Sequence, residues 1–163
     1  MLFRSPLAVL PTTPAGKPLG VLVFFDVPGG PIDEPRAAVW KAAAARHGVA
    51  VILPGSSDPR RWAREDLATV KRGLATLGSK RAIDPARIAV AGRGAGGAFA
   101  WVAAESLGPM VRGVALLDAA LPRQASTREA EPGRSPWVLF ATSGEQAGAA
   151  ASRVASDRRR LAD

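Results

Sequence analysis

The chain has 163 residues, no cysteine and one histidine, and its 22 Lys and Arg against 14 Asp and Glu give a net charge of +8. That length suits one domain with a buried core, and the cysteine and histidine counts exclude a disulfide framework, a thiolate metal site and a His-rich one. The excess charge is arginine scattered along the chain; the one tight cluster, Arg158-Arg159-Arg160, has no interleaved aromatic residue on which bases stack, so nucleic acid is not an expected partner.

Residues 1–19 are the least defined part. Residues 7–10 read as a short strand, and Pro6 and Pro11 bracket this apolar stretch too closely for a signal peptide. Residues 20–26 (Gly-Val-Leu-Val-Phe-Phe-Asp) form a continuous apolar run, as in a strand buried on both faces. After a loop at 26–31, Asp33 as N-cap, Pro35 in the first turn and Gly48 as terminator predict a helix over 34–47. A second buried strand follows at 49–53.

Asp58-Pro59 predicts a helix start, and Leu67, Val70, Leu74 and Leu77 then recur at helical spacing. Asp84-Pro85 is expected to turn the chain into a strand at 87–91. A glycine cluster and a helix over about 95–107 come next, then a strand at 112–118 and a polar loop at 121–135. A last strand at 136–142 and a helix over about 145–161 complete the chain. No apolar run approaches the roughly 20 residues of a membrane helix. Strands alternating with helices predict an α/β fold, a mostly parallel sheet with helices on both faces and ligands beyond the strand C-termini.

The segment Gly92-Arg93-Gly94-Ala95-Gly96-Gly97 fits two frames. Gly92, Gly94 and Gly97 match the dinucleotide fingerprint, with Asp118 near the spacing of its ribose-binding acid. That fingerprint normally follows the first strand of its unit, whereas here two strand–helix pairs come first. Gly92, Gly94 and Gly96 match instead the nucleophile elbow Gly-x-Ser-x-Gly, with Gly94 at the serine position.

The wider context favours the elbow. The pattern from Glu65-Asp66-Leu67 through Ile83-Asp84-Pro85-Ala86-Arg87 to Gly92 resembles the helix and strand that lead into the elbow of esterase-type α/β-hydrolases. Asp26-Val27-Pro28-Gly29 and the phenylalanines before it resemble their oxyanion segment. Residues 113–118 and 138–145 resemble the two strands that follow, and the likeness runs from about residue 20 to 145. It implies an α/β-hydrolase fold, with Glu145, or less often Asp118, at the acid position. A narrower likeness rests on Asp58-Pro59-Arg60-Arg61-Trp62, Ile83-Asp84-Pro85-Ala86-Arg87 and Gly92 to Trp101. It is to the hydrolase-like domain that follows PDZ modules in some bacterial HtrA-type serine proteases, where the elbow serine is commonly absent.

Acyl transfer on this fold needs a nucleophile, a His base, an orienting acid and backbone N–H donors. Gly94 has no side chain. His47 is expected at a helix end on the opposite edge of the sheet, about 17 Å away along a five-residue strand. Pro28 has no N–H where a donor is needed. Ser56, Ser57 and Ser143 lie on the correct edge but read as turn and cap residues. The favoured expectation is a non-catalytic, fragment-like domain with a vestigial elbow, without cofactor or metal, whose partners are other domains of a parent protein. A hydrolase with a displaced nucleophile and an outside His is the second expectation, and a dinucleotide-binding domain the third.

Overall fold

A computed structural model describes residues 6–12, 16–123, 125, 136–143 and 149–162. Six strands form one sheet: β1 (Leu7–Val9), β2 (Leu19–Phe25), β3 (Val49–Leu53), β4 (Ile83–Arg93), β5 (Gly113–Leu117) and β6 (Trp137–Ala141). Their spatial order is β1-β3-β2-β4-β5-β6. The contiguous set from β3 to β6 is parallel, and β1 alone runs antiparallel, along β3. Helices α1 (Glu34–His47), α2 (Asp66–Lys80), α3 (Ala95–Leu107) and α4 (Ala149–Ala162) connect and follow the parallel strands. The predicted α/β fold, mostly parallel with helices on both faces, is the one observed.

Two cores explain the layers. On one face Val21, Val23 and Phe25 of β2 join Val90 of β4 and Leu116 of β5 beneath α2 and α3. On the other, Phe24, Val51, Leu53 and Ala91 pack with Ala37 and Ala44 of α1. Central β2 is buried on both faces, which is why its sequence is continuously apolar rather than alternating. Helix α1 has its predicted bounds because both ends are capped. The Asp33 carboxylate accepts the Arg36 N–H at 3.1 Å, and Gly48, at φ 59°, donates its N–H to Ala44 O.

Three expectations are corrected. No helix starts at Asp58-Pro59, and α2 begins at Asp66. The Asp58 carboxylate accepts the Arg60 N–H at 2.8 Å and closes a local turn instead. The carboxylate of Asp66, only 1% exposed, then holds the loop by accepting the Ser57 and Ala63 N–H groups, each at 2.9 Å. Asp84-Pro85 does not precede the strand but lies inside β4. The pairing jumps from Leu19↔Ile83 to Val21↔Ile88, so residues 84–87 leave the ladder as an irregular bulge. The start of the 121–135 loop is not polar surface, since Leu121 and Ala125 are buried in the core under α2 and α3. Helix α4 is tied to that core where the Asp157 carboxylate accepts the Leu121 N–H at 2.9 Å.

Asp66→Ala leaves the N–H donors of part-buried Ser57 and Ala63 without their acceptor. It is expected to cost about 2–4 kcal/mol, read as a lower urea midpoint at unchanged m. A loss below about 0.5 kcal/mol would mean that the loop is held by other contacts.

Candidate functional site at the strand C-terminal edge

The parallel strands deliver residues 26–30, 55–58, 92–96 and 118–121 to one edge of the sheet. Gly94 sits between β4 and α3 with φ 56° and ψ −122°, a backbone that L side chains rarely adopt. Its N–H donates to Leu117 O at 2.9 Å, and its carbonyl accepts the Gly97 and Ala98 N–H groups. A β-carbon at Gly94 would meet nothing within 4 Å. The neighbouring glycines are there for a different reason, close approach. A β-carbon at Gly92 would strike the Gly96 carbonyl, one at Gly96 the Phe25 carbonyl, and one at Gly97 the Ala119 methyl. The exposed Arg93 and Ala95 flank the turn.

Beside the turn, β2 ends in Asp26, whose carboxylate joins three elements. It pairs with Arg36 of α1 and, at 3.3 Å, with Arg93 of β4. It also accepts the Val27 N–H at 2.7 Å. Burial, and secondly the Arg93 guanidinium, lower the pKa of Arg36 from its ordinary value. The Asp26 carbonyl accepts the Trp62 indole N–H at 2.8 Å. The Trp62 ring stacks on Phe99 at 5.3 Å and 14°, and Phe25 meets both rings edge-on. The Arg93–Asp26–Arg36 cluster and the indole contact were not foreseen from sequence. Asp26 and Arg93 stand 67 residues apart, and no local spacing links them.

The N–H groups of 27–30 are already engaged. Val27 donates to Asp26, Pro28 has none, Gly29 donates to Ser56 Oγ at 2.8 Å, and Gly30 donates to Val27 O at 3.3 Å. Gly29, at φ 72°, gives this turn its left-handed third residue. Ala95 and Gly96, in the first turn of α3, have no acceptor inside their helix.

The hydroxyls and acids are dispersed. Ser56 is the acceptor for Gly29, and the hydroxyl of Ser57 is buried without a hydrogen-bond partner. Asp118 lies at φ 49°, a conformation Asp tolerates better than most residues. Its N–H donates to Ala141 O at 2.8 Å and its carboxylate accepts the Ser143 N–H, which joins the ends of β5 and β6. Glu145 lies outside the described residues. His47 is exposed at the end of α1, next to the start of β3 and thus on the opposite edge, where its carbonyl accepts from Arg87 at 2.7 Å. Among the described residues no group of three or more His, Asp or Glu is placed to hold a metal, and no helix is long and apolar enough to cross a membrane.

No protein-family model matches the chain, and no curated protein matches it in sequence. Solved structures do. The chain is similar to an esterase from Pyrobaculum calidifontis, with a TM-score of 0.52 and 24% identity over 66% of this chain and 38% of that one. It is similar to an acetyl xylan esterase from Aspergillus awamori (0.58, 14%, over 80% and 50%) and to an S-formylglutathione hydrolase from Agrobacterium tumefaciens (0.56, 15%, over 82% and 58%). At these identities the likeness establishes the fold, that of the α/β-hydrolases. The chain spans 38–58% of the length of these structures.

Two substitutions separate the two kinds of glycine. Gly94→Ala is expected to cost about 1–3 kcal/mol, from backbone strain alone. Gly96→Ala is expected to cost more, because its β-carbon meets a backbone carbonyl that cannot step aside. Urea midpoints in the reverse order would mean that Gly94 does not hold the strained conformation.

Proposed function

We propose that this chain is a non-catalytic α/β-hydrolase-like domain with a vestigial nucleophile elbow at Gly92 to Gly96, serving as a structural or protein-interaction module of a larger bacterial protein. The observation that carries the reading is Gly94, a residue without a side chain in the strained strand-to-helix turn where this fold exposes its nucleophile. Two further observations support it. The oxyanion hole of such enzymes draws one N–H from the residue after the nucleophile and one from the loop after the preceding central strand. Ala95 retains the first position. The second falls in the loop after β2, where the N–H groups of Val27, Gly29 and Gly30 each have an acceptor and Pro28 has none to offer. His47, meanwhile, sits on the wrong edge of the sheet to act as a base.

The narrower likeness to the domain behind PDZ modules of HtrA-type proteases fits an accessory role beside a chemistry located elsewhere. The hydrolase alternative keeps one argument, the preserved turn geometry, and requires a displaced nucleophile and a His from outside these residues. The dinucleotide reading is the weakest. Gly92 and Gly97 are accounted for by packing, and the Asp118 carboxylate is engaged by Ser143.

The chain is expected to hydrolyse activated esters no faster than buffer and to resist labelling by a serine-directed fluorophosphonate. NAD at about 1 mM is expected to leave the melting temperature unchanged, since a ligand that binds only the folded state would raise it. The sharper measurement uses Gly94→Ser. The members of a triad act as a unit, so the restored hydroxyl is expected to stay inert without its base. Turnover by Gly94→Ser with a sigmoid pH profile near neutrality would reveal a base and return the chain to the hydrolases.

A further inference from the structure

Scattered in sequence, much of the positive charge is gathered by the fold. The parallel strands begin at the edge of the sheet opposite the Gly94 turn, and α1, α2 and α3 end there. Hydrogen bonds stitch that edge into one row. Gly20 N–H donates to Gly48 O, Leu19 N–H to Ala82 O and the Arg87 guanidinium to His47 O. Arg112 N–H donates to Ile88 O at 2.7 Å, and Trp137 N–H to Arg112 O at 3.0 Å. Lys17, Arg46, Lys80, Arg87 and Arg112 are exposed along these segments. None of the four ion pairs among the described residues involves them. Two carboxylates stand beside them. Asp84 accepts the Ala86 N–H at 2.9 Å, and Glu105 accepts the Trp101 indole N–H at 3.1 Å. Three helix C-termini add about −0.5 each, and the five cations still leave the edge positive.

Large apolar side chains are exposed on the same edge. Trp137, the first residue of β6, is 87% exposed. Met110, in the 3₁₀ turn Gly108–Met110 just before Arg112, is 48% exposed. Strand β1 runs against β3 with Val9 opposite Val51, so Leu10 beyond it also comes to this edge, 48% exposed. Leu10 and Trp137 thus belong to the first and last of the six strands, about 24 Å apart at 4.8 Å per strand. The basic row lies between them.

That order selects the occupant. A protein interface has an apolar centre and a polar rim, the reverse of what stands here. Single-stranded nucleic acid is held by aromatic rings along a basic groove, whereas the exposed ring here stands at the end of the row. An anionic lipid leaflet takes the arrangement as it is. Its headgroups draw the cations, each apolar tip enters separately, and tryptophan favours the interfacial depth.

We propose that the strand N-terminal edge of the sheet docks this chain on a membrane surface rich in anionic phospholipid, with Leu10, Met110 and Trp137 as apolar tips around Arg87 and Arg112. The inference goes beyond the non-catalytic reading, whose elbow lies on the opposite edge. The two attachments reinforce each other, since affinity for a leaflet combines buried apolar area with electrostatic attraction. Each Lys or Arg near the surface contributes about fivefold.

The test uses the full chain and vesicles of phosphatidylcholine with and without phosphatidylserine. Co-sedimentation is expected only with phosphatidylserine at about 0.1 M salt, and is expected to be lost at about 1 M, where the screening length is about 3 Å. Lipids brominated near the headgroup are expected to quench indole emission, and Trp137→Ser to remove that quenching. Arg87→Glu combined with Arg112→Glu is expected to weaken binding at least about tenfold. Arg60→Glu combined with Arg64→Glu, the same charge change on the opposite edge, is expected to leave it within about twofold. Absence of binding to phosphatidylserine vesicles, equal losses from the two double variants, or binding without quenching would each overturn the proposal. So would binding of a single-stranded oligonucleotide in place of vesicles, since the occupant would then be nucleic acid. The salt and quenching measurements use the unaltered chain, so they decide the matter even where a variant fails to fold. The ester and fluorophosphonate results decide the non-catalytic reading separately.

Discussion

The architecture depends on one close approach. Strand β4 turns into α3 so tightly that Gly92 and Gly96 touch backbone to backbone, and α3 is pulled against the carbonyl that ends β2. No side chain fits between these three segments, so the turn, the first turn of the helix and the end of the central strand hold one another in place. Phe25 of β2, Phe99 of α3 and Trp62 of the loop before α2 assemble around the same junction. The steric demand at positions 92 and 96 is independent of what stands at 94. A chain can therefore lose its nucleophile and keep the turn, and a glycine at 94 relieves strain that a hydroxyl-bearing residue would have to bear.

Charge completes what packing begins. Asp26 stands at the end of the central strand with a guanidinium on either side, one from α1 and one from the turn itself. Several polar contacts converge on the same short segment, from Ser56, from the Trp62 indole and from the chain's own turn bond. The segment is thus tied down by its own structure. A working oxyanion hole needs donors held open toward the reacting oxygen. Here the N–H groups of Val27, Gly29 and Gly30 are engaged in local order, which braces this part of the sheet edge.

How much of this was legible depended on how local the determinants are. Helix α1 and strand β3 were readable to the residue because Asp33, Pro35 and Gly48 act within one turn of where they stand. The strand–turn–helix at Gly94 was readable for the same reason. The start of α2 was not. Asp58-Pro59 is as good a helix opening as Asp33-Glu34-Pro35 by local criteria, and only the buried carboxylate of Asp66 gives residues 58–65 another place to go. Asp84-Pro85 misled similarly, because a bulge inside a strand and a turn before one use the same residues. The Asp26 cluster was invisible, since it is assembled by the sheet from α1 and from two strands far apart in sequence. Glu145, placed by resemblance, lies outside the described residues.

The strand order has a kinetic consequence. The central pair of the sheet, β2 and β4, is interrupted in sequence by α1, β3 and α2. During synthesis β2, seven residues without a single charge, therefore emerges long before the neighbour that buries its second edge. Non-local parallel pairing of this kind is slow to form, and an uncharged apolar strand waiting for its partner is a site for association between incomplete chains. Fragments that end before β4 should be the aggregating species of this protein. Its tendency to misfold is then set by the order in which the strands are made rather than by the stability of the finished sheet.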